Sequence, residues 1–185
     1  MPHRLCPWWI GYPLICPLRR FGQNPDKILA PYVREGMIVL EPGPGMGFFT
    51  LALARMVGPS GRIIAVDIQS KMLERLKRRA AKVGLMERIE TRLASSDSLE
   101  IADLGESIDF TLAFAVVHEL SDVARFLAEV SAASKVGATL LLAEPKGHVK
   151  EPEFQSQLQA ASQAGFNVVD RPAIGRSHVA LLKKK

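Results

Sequence analysis

Short apolar runs alternate along the chain with segments whose apolar residues recur at helical spacing. The first run, at 37–40, is rich in branched residues and predicts a strand buried on both faces. Such alternation is typical of α/β proteins, in which a mostly parallel sheet carries helices on both faces. The same patterns predict further strands at 63–66, 88–94, 108–117, 138–144, 166–170 and 178–185, and helices at 48–58, 70–83, 119–134 and 151–164.

The predicted helix at 70–83 has recognisable start and stop signals. Ser70 is a typical N-cap residue, and Gly84 is a typical residue to follow a helix. The segment should therefore pack one face on the sheet. Its apolar stripe consists of Met72, Leu73, Leu76, Ala80 and Val83.

The last two predicted strands break the alternation, because no helix lies between them. Their connection, 171–176, has 6 residues, whereas a parallel crossover needs about a dozen. The last strand is therefore predicted to run antiparallel to its neighbours.

Length and composition fit a single domain with a sizeable core. The chain has 185 residues, 48% of them hydrophobic and 23% charged. We expect one domain over 25–185, preceded by an arm over 1–24. Prolines interrupt the longest apolar candidate for a membrane span, 5–18. The two cysteines, Cys6 and Cys16, suit a reduced, cytoplasmic chain, and no metal site is predicted.

Much of the net charge of +5 is concentrated on one predicted helix and at the chain end. A solvated helix face is the favoured interpretation. A nucleic-acid surface is the alternative, and it is weaker because no aromatic residues are interleaved with the helical cluster. The helical cluster comprises Arg75, Lys77, Arg78, Arg79 and Lys82.

Three glycines lie at alternate positions between the first predicted strand and the first predicted helix. They are Gly43, Gly45 and Gly47, and Glu41 precedes them. Backbone N–H groups at such a turn are unpaired, and a helix N-terminus is electropositive. Because side chains are absent, a polar or anionic ligand can approach the backbone closely. The turn is therefore predicted to bind a ligand.

Asp67 ends the second predicted strand, 20 residues after Gly47. A carboxylate at this position can accept hydrogen bonds from two adjacent ribose hydroxyls. The G-x-G-x-G spacing differs from the G-x-G-x-x-G of dinucleotide-binding enzymes, which makes NAD binding less favoured. Asp67 could instead cap the following helix, but its spacing from the glycines favours ribose binding.

Five segments resemble, in order, the motifs of class I S-adenosylmethionine-dependent methyltransferases. The resemblance covers about 25–185 and implies that family's Rossmann-like fold, a seven-stranded, mostly parallel sheet with an antiparallel last strand. It also implies S-adenosyl-L-methionine as methyl donor and S-adenosyl-L-homocysteine as product. The segments are VLEPGPGMGFFTLALA, AVDIQSKML, ASSDS at 94–98, DFTLAFAVVHEL at 109–120 and SKVGATLLLAEP at 134–145.

The resemblance implies a role for each residue of the first two motifs. The backbone around Gly43, Gly45 and Gly47 would meet the amino-acid and ribose portions of the cofactor. Glu41 would help to fix the turn and the methionine ammonium, although a purely structural role is equally open. Asp67 would bind the two ribose hydroxyls.

The remaining motifs imply contacts with the adenine and the methionine part. Asp97 would accept a hydrogen bond from the adenine amino group, but it could also be only a turn residue of its loop. The other implied contacts are Ile68 against the adenine, Ser96 or Ser98 beside Asp97, and the backbone carbonyl of Ala113 or Phe114 against the methionine part.

Methyl transfer requires mainly positioning, plus a base when the acceptor must lose a proton. His118 follows the fourth predicted strand and titrates near neutral pH. It could instead be a helix-start residue packed beside the cofactor, which is the favoured interpretation. Glu144 ends the fifth predicted strand and could face the acceptor, whereas Glu119 is expected to be a first-turn helix charge.

The motifs do not specify the acceptor. The fourth reads AFAV rather than the N/D-P-P-Y pattern associated with methylation of amino nitrogens. We expect a small-molecule acceptor, with RNA or protein as the alternative; a nucleotide-binding dehydrogenase or a non-catalytic binding module is less favoured. The aromatic, proline-rich arm is interpreted either as a lid over the methyl-transfer site or as a packing arm that covers the sheet edge or joins a homodimer.

Overall fold

The computed structural model describes residues 23–185, which divide into two compact units with the boundary between Glu100 and Ile101. The strands of the first unit run parallel, and a 3-10 turn at Met86–Arg88 leads into the last of them. The strands are β1 (Ile38–Pro42), β2 (Arg62–Asp67) and β3 (Ile89–Leu93), and the helices are α1 (Pro25–Leu29), α2 (Thr50–Met56) and α3 (Ser70–Lys82).

The second unit contains four strands and two long helices. Its strands are β4 (Ile108–Phe114), β5 (Ser134–Pro145), β6 (Phe166–Asp170) and β7 (Ser177–Lys184). Its helices are α4 (Val123–Ala133) and α5 (Glu151–Gln163), and 3-10 turns lie at Ala102–Leu104 and Val117–Glu119. β4 and β5 are parallel, whereas β7 is antiparallel to both β5 and β6.

The seven strands have the order β3-β2-β1-β4-β5-β7-β6 in one sheet. The predicted α/β class, the strand count and the antiparallel last strand are all confirmed. The 6 residues that join β6 to β7 allow a return beside the neighbouring strand, which explains its direction. The expected single domain over 25–185 stays a prediction.

Strands β1, β2 and β4 are largely buried, as their near-continuous apolar sequences predict. All side chains from Ile63 to Asp67 in β2 are buried, and so are Leu140–Glu144 in β5. In α3, the stripe residues Met72, Leu73, Leu76 and Ala80 are buried. Val83 was predicted to belong to that stripe, but it lies after the helix and is 51% exposed.

The structure corrects one predicted helix cap and one predicted helix start. Ser70 does not cap α3, since the N-cap is Gln69 and no side chain caps the helix. α4 begins at Val123 rather than at 119, because Asp122 accepts a hydrogen bond from Arg125 N–H at 2.9 Å and caps it. Glu119 consequently lies in a 3-10 turn, not in the first turn of an α-helix as predicted.

One helix was not predicted. α1 has 5 residues and is too short to show a periodic pattern. Its start is nevertheless specified locally: Asn24 Oδ1 accepts a hydrogen bond from Asp26 N–H at 3.0 Å, and Pro25 occupies the first position. No helix among residues 23–185 is long and apolar enough to span a bilayer.

Candidate functional site

The glycine turn between β1 and α2 contains two differently constrained glycines. Gly45 and Gly47 both have left-handed backbones, with φ of 55° and 85°. A Cβ at Gly47 would collide with Cδ1 of the buried Leu76, so an added methyl group would have to displace that side chain. A Cβ at Gly45 would meet nothing within 4 Å. Gly45 thus leaves open space beside the backbone, which is where a ligand could approach.

Asp67 is connected to the glycine turn. Its Oδ2 accepts a hydrogen bond from Gly45 N–H at 3.3 Å, and its Oδ1 accepts one from Gln69 N–H at 2.8 Å. Burial raises the pKa of the Asp67 carboxyl, and these backbone donors partly oppose the rise. The carboxylate is therefore oriented by the backbone at the carboxyl end of β2.

Glu41 is buried below the turn. Burial, with a contribution from the Asp67 charge, raises the pKa of Glu41 to about 8. Its Oε2 is buried without a hydrogen-bond partner among the described residues. A buried carboxyl group with an unpartnered oxygen is stabilised when a cation or a hydrogen-bond donor of a bound ligand reaches that oxygen.

Arg79 contributes to the turn, although no sequence motif assigns it a role there. Its guanidinium donates a hydrogen bond to the Met46 carbonyl. Burial lowers the pKa of Arg79, so this residue is not part of a fully solvated face. The contact joins residues 33 positions apart, which no local pattern can predict.

Two apolar side chains are exposed at the carboxyl ends of β2 and β3. Ile68 follows Asp67, and Leu93, which is 55% exposed, is the register partner of Asp67. Exposed apolar residues at adjacent strand ends suit a flat, apolar ligand surface. Sequence reasoning named Ile68 and missed Leu93, whose exposure follows only from its being the last residue of a short strand.

The loop after β3 is held by local hydrogen bonds. Ser95 N–H donates to the Ser98 carbonyl at 3.0 Å, and Asp97 N–H donates to Ser95 Oγ at 3.4 Å. Ser96 and Asp97 are exposed on this loop. Their predicted contacts with adenine stay predictions.

In the second unit, β4 ends in a strained turn. Ala113 is buried and Phe114 half-buried, and Ala115 has a left-handed φ of 56°. The Ala115 N–H still donates to the Ala143 carbonyl at 2.7 Å. This left-handed conformation interrupts the extended backbone, so the strand that was predicted to reach 117 ends at Phe114.

Glu144 stabilises that turn. Its side chain is fully buried, and its expected position facing the acceptor stays a prediction. Its Oε1 accepts hydrogen bonds from Val116 N–H at 3.2 Å and Val117 N–H at 2.8 Å. Its Oε2 forms a short contact with His118 Nδ1. Glu144 thus orients both the backbone that carries His118 and the imidazole itself.

The electrostatic environment of His118 is acidic. Burial lowers the pKa of His118, but the hydrogen bond and charge of Glu144, together with the charges of Glu119 and Glu153, outweigh that effect. The net effect is a pKa above the ordinary value of 6.5. The His148 ring packs edge-on against His118, with ring centroids 5.5 Å apart.

His118 also lines an open pocket of about 300 Å³ between the Val117–Glu119 turn and α5. The α5 side of the pocket follows helical spacing, since Glu153, Gln157 and Ala160 recur on one face. The polar side chains that line it are His118, Ser121, Glu153, Ser156 and Gln157. In the described part of the chain, no cluster of His, Cys, Asp and Glu could hold a metal ion.

Comparison with known proteins identifies the family. A family model for a methyltransferase domain matches residues 34–177, and the chain belongs to that family. A solved structure of an S-adenosylmethionine-dependent methyltransferase from Aquifex aeolicus matches 97% of this chain and 98% of its own, with a TM-score of 0.85 and 25% identity. The chain is therefore a member of the class I methyltransferases, whose cofactor is S-adenosyl-L-methionine.

Among curated proteins, the ubiquinone/menaquinone biosynthesis C-methyltransferase UbiE of Marinomonas sp. (strain MWYL1) is 29% identical over 145 residues. The match covers 78% of this chain and 54% of the relative, so the chain spans about half of that relative's length. The [4+2]-cyclase SpnF shares the fold, with a TM-score of 0.68, 20% identity and coverage of 80% and 59%. That cyclase illustrates that one fold carries different reactions.

The residues present fit S-adenosyl-L-methionine. The unpartnered Oε2 of Glu41 suits the methionine ammonium, and the open space at Gly45 admits close approach to the backbone. Asp67 presents an oriented carboxylate for ribose hydroxyls. Ile68 and Leu93 supply exposed apolar surface of the kind that adenine contacts.

Proposed function

We propose that this protein transfers the methyl group of S-adenosyl-L-methionine to a small-molecule acceptor, with His118 as general base. The observation that carries the proposal is the contact between His118 and the buried carboxylate of Glu144. A buried acid that fixes the ring orientation of a histidine beside a pocket is an arrangement used in acid–base catalysis.

The proposed roles follow from the tautomer that Glu144 imposes. When neutral His118 donates its Nδ1 proton to Glu144, Nε2 is the basic nitrogen. Bound cofactor supplies an activated methyl group on a sulfonium. His118 Nε2 would accept the proton that the acceptor loses, and Glu144 would stabilise the resulting imidazolium. The sulfur would keep the electron pair of its broken bond to the methyl group, so that the transfer leaves S-adenosyl-L-homocysteine. Glu41, Gly45 and Asp67 would hold the cofactor.

Two observations support a small molecule as the acceptor. The UbiE relative is named for C-methylation in quinone biosynthesis, and the pocket beside His118 has the volume of a small-molecule site. We therefore propose a compact organic acceptor and a cytoplasmic protein. The arm at 1–24 lies almost wholly outside the described residues, and its role as a lid or a dimer contact stays a prediction.

An RNA acceptor is the second candidate, because the net charge is +5 and α3 is rich in basic residues. Lys77 and Arg78 are exposed on that helix, whereas Arg79 is bonded to the glycine turn. The basic face is thus smaller than the sequence suggested. Salt-sensitive RNA binding that competes with activity would favour this candidate.

The proposal is tested by incubating the purified protein with deuteromethyl-labelled cofactor and a panel of phenols and hydroquinones, followed by mass spectrometry. We expect label in at least one product, and loss of about 10²–10⁴-fold in its rate of formation in His118→Gln. His178→Gln is the matched control, because His178 binds Val149 O and Glu151 instead. Equal activity of wild type and His118→Gln would contradict the role of His118.

A further inference from the structure

Gln157 has a buried polar atom that the chain does not satisfy. The residue lies on α5, is 4% exposed, and its Oε1 has no hydrogen-bond partner among the described residues. An unsatisfied buried carbonyl destabilises a fold, so such atoms are rare where nothing binds them. Its neighbours on the same helix, Phe154 and Leu158, are apolar and equally buried.

Gln157 lines the same pocket as His118. The residues that line the pocket therefore include one with a buried, unsatisfied hydrogen-bond acceptor, in addition to the proposed base. Its apolar lining comes from Val117, Leu120, Val123 and Ala160. A ligand that fits must place a donor group at Gln157 and apolar surface against these side chains.

The charges around the pocket further restrict the class of ligand that can bind. Glu153 lines it, and its charge is among those that raise the pKa of His118. None of the described residues that line it is a lysine or an arginine. Above the pKa of His118, where its ring carries no charge, a carboxylate or phosphate would be repelled by Glu153 and would offer no donor to Gln157.

We propose that this pocket binds the methyl acceptor and selects small, non-anionic molecules whose hydroxyl or amino group donates a hydrogen bond to Gln157 Oε1. This inference rests on the proposed function and adds the acceptor's chemical class. Gln157 is a specificity-determining residue, since it selects molecules that carry a donor. The pocket volume of about 300 Å³ is at the lower end for ligand sites and suits a single ring.

The test is nuclear magnetic resonance titration of labelled protein without cofactor. The probes are phenol, its near-isostere toluene, which lacks the donor, and benzoate, which carries a negative charge. We expect phenol to shift the Gln157 side-chain amide and the His118 ring signals. Toluene should bind about fivefold more weakly, as loss of one hydrogen bond predicts, and benzoate should cause no shift at these signals.

The variant Gln157→Met keeps an unbranched side chain of similar length but removes the acceptor oxygen. We expect it to bind phenol about fivefold more weakly and to raise the thermal midpoint of the free protein, because an unsatisfied buried atom is removed. Gln159→Met, on the exposed face of α5, is the matched control and should leave both quantities unchanged. If Gln157 had only a structural role, Gln157→Met would lower the thermal midpoint of the free protein.

Equal affinity for phenol and toluene, or unchanged phenol binding in Gln157→Met, would overturn the inference. The titration tests the selectivity of the pocket separately from methyl transfer, because it needs neither cofactor nor turnover. Gln157-dependent phenol binding without any labelled product would support the pocket's selectivity and count against methyl transfer through His118. Labelled product with unchanged phenol binding in Gln157→Met would support methyl transfer and count against the selectivity proposed for Gln157.

Discussion

The backbone N–H of Gly45 donates a hydrogen bond to Asp67 Oδ2 at 3.3 Å, across 22 positions of sequence. This hydrogen bond fixes the glycine turn and the carboxylate at the end of β2 relative to each other. A ribose that binds Asp67 would meet a carboxylate already oriented by Gly45 and by Gln69 N–H. Part of the ordering needed for cofactor binding is therefore present in the protein alone.

Asp67→Ala should weaken cofactor binding without unfolding the protein. Loss of hydrogen bonds to a charged acceptor costs about 1.5–3 kcal/mol, and Gly45 N–H also loses a partner. Titration calorimetry with S-adenosyl-L-homocysteine measures the change. Asp67→Asn, which keeps one acceptor oxygen, should show an intermediate loss. Unchanged affinity in Asp67→Ala would remove this residue from the site.

Gly45→Ala and Gly47→Ala should fail in different ways. Both strain a left-handed backbone, at about 1–2 kcal/mol each. Gly47→Ala additionally collides with Leu76 and should lower the free energy of unfolding by a further ~1–3 kcal/mol. Gly45→Ala projects into open space, so cofactor affinity should fall more than stability does. Urea denaturation measures the stability of both variants, and calorimetry measures their cofactor affinity. Equal losses of stability and of affinity in the two variants would contradict these separate roles.

Glu41 should make the protein less stable as pH rises. Its pKa is about 8 in the folded chain against an ordinary value of 4.5, so the folded state retains a proton that the unfolded state releases between these values. The contribution of Glu41 to stability is complete below pH 4.5 and falls by at most about 1.4 kcal/mol per pH unit up to about pH 8.

Glu41→Gln isolates this effect, because glutamine carries no titrating proton. Denaturation at pH 5, 6.5 and 8 should show wild type losing stability relative to Glu41→Gln at each step. Cofactor binding by wild type should also release a proton near pH 7, if the ammonium converts Glu41 to its charged form. Parallel pH profiles for the two proteins would show that Glu41 keeps its ordinary pKa.

Glu144→Gln should lower the rate of methyl transfer and shift its pH dependence. A base works in its neutral form, so the rate should rise with pH through the raised pKa of His118. Without the Glu144 charge that pKa falls, and the midpoint of the rate profile should move to lower pH. Glu129→Gln, on the partly exposed face of α4, is a suitable control. A midpoint that stays in place would contradict the coupling.

Deletion of 1–22 tests the lid interpretation of the arm. The truncated chain keeps Asn24, which caps α1, and should retain its fold and most of its cofactor affinity. Methyl transfer should be abolished, because positioning of the acceptor is most of what this chemistry needs. Molecular mass must be measured in parallel, since loss of a dimer would identify the arm as an oligomer contact. Full activity of a soluble truncated chain would exclude the lid.

Features that depend on local pattern were predictable from the sequence. The buried strand at 63–66, the stripe on α3 and the reversed direction of β7 each follow from periodicity or loop length. The end of β4 was not predictable, because Ala115 adopts a left-handed conformation that alanine by itself disfavours. Hydrogen bonds from Val116 and Val117 to Glu144 stabilise this conformation, and they join residues 28 and 27 positions apart.

The same distinction applies to the site. The positions of Gly45, Gly47 and Asp67 came from motif spacing, but their separate functions depend on Leu76 and on the Gly45–Asp67 hydrogen bond. The sequence named His118 and Glu144 singly and did not indicate that they contact each other. Gln157 carried no signal at all, because an unsatisfied atom is a property of packing and not of residue type.

Calorimetric titration of the purified protein with S-adenosyl-L-methionine, S-adenosyl-L-homocysteine and NAD tests the central claim most directly. Glu41, Gly45, Asp67 and the exposed Ile68 and Leu93 predict binding of both sulfur compounds and no preference for the dinucleotide. Tight binding of NAD with weak or absent binding of both sulfur compounds would contradict a methyltransferase.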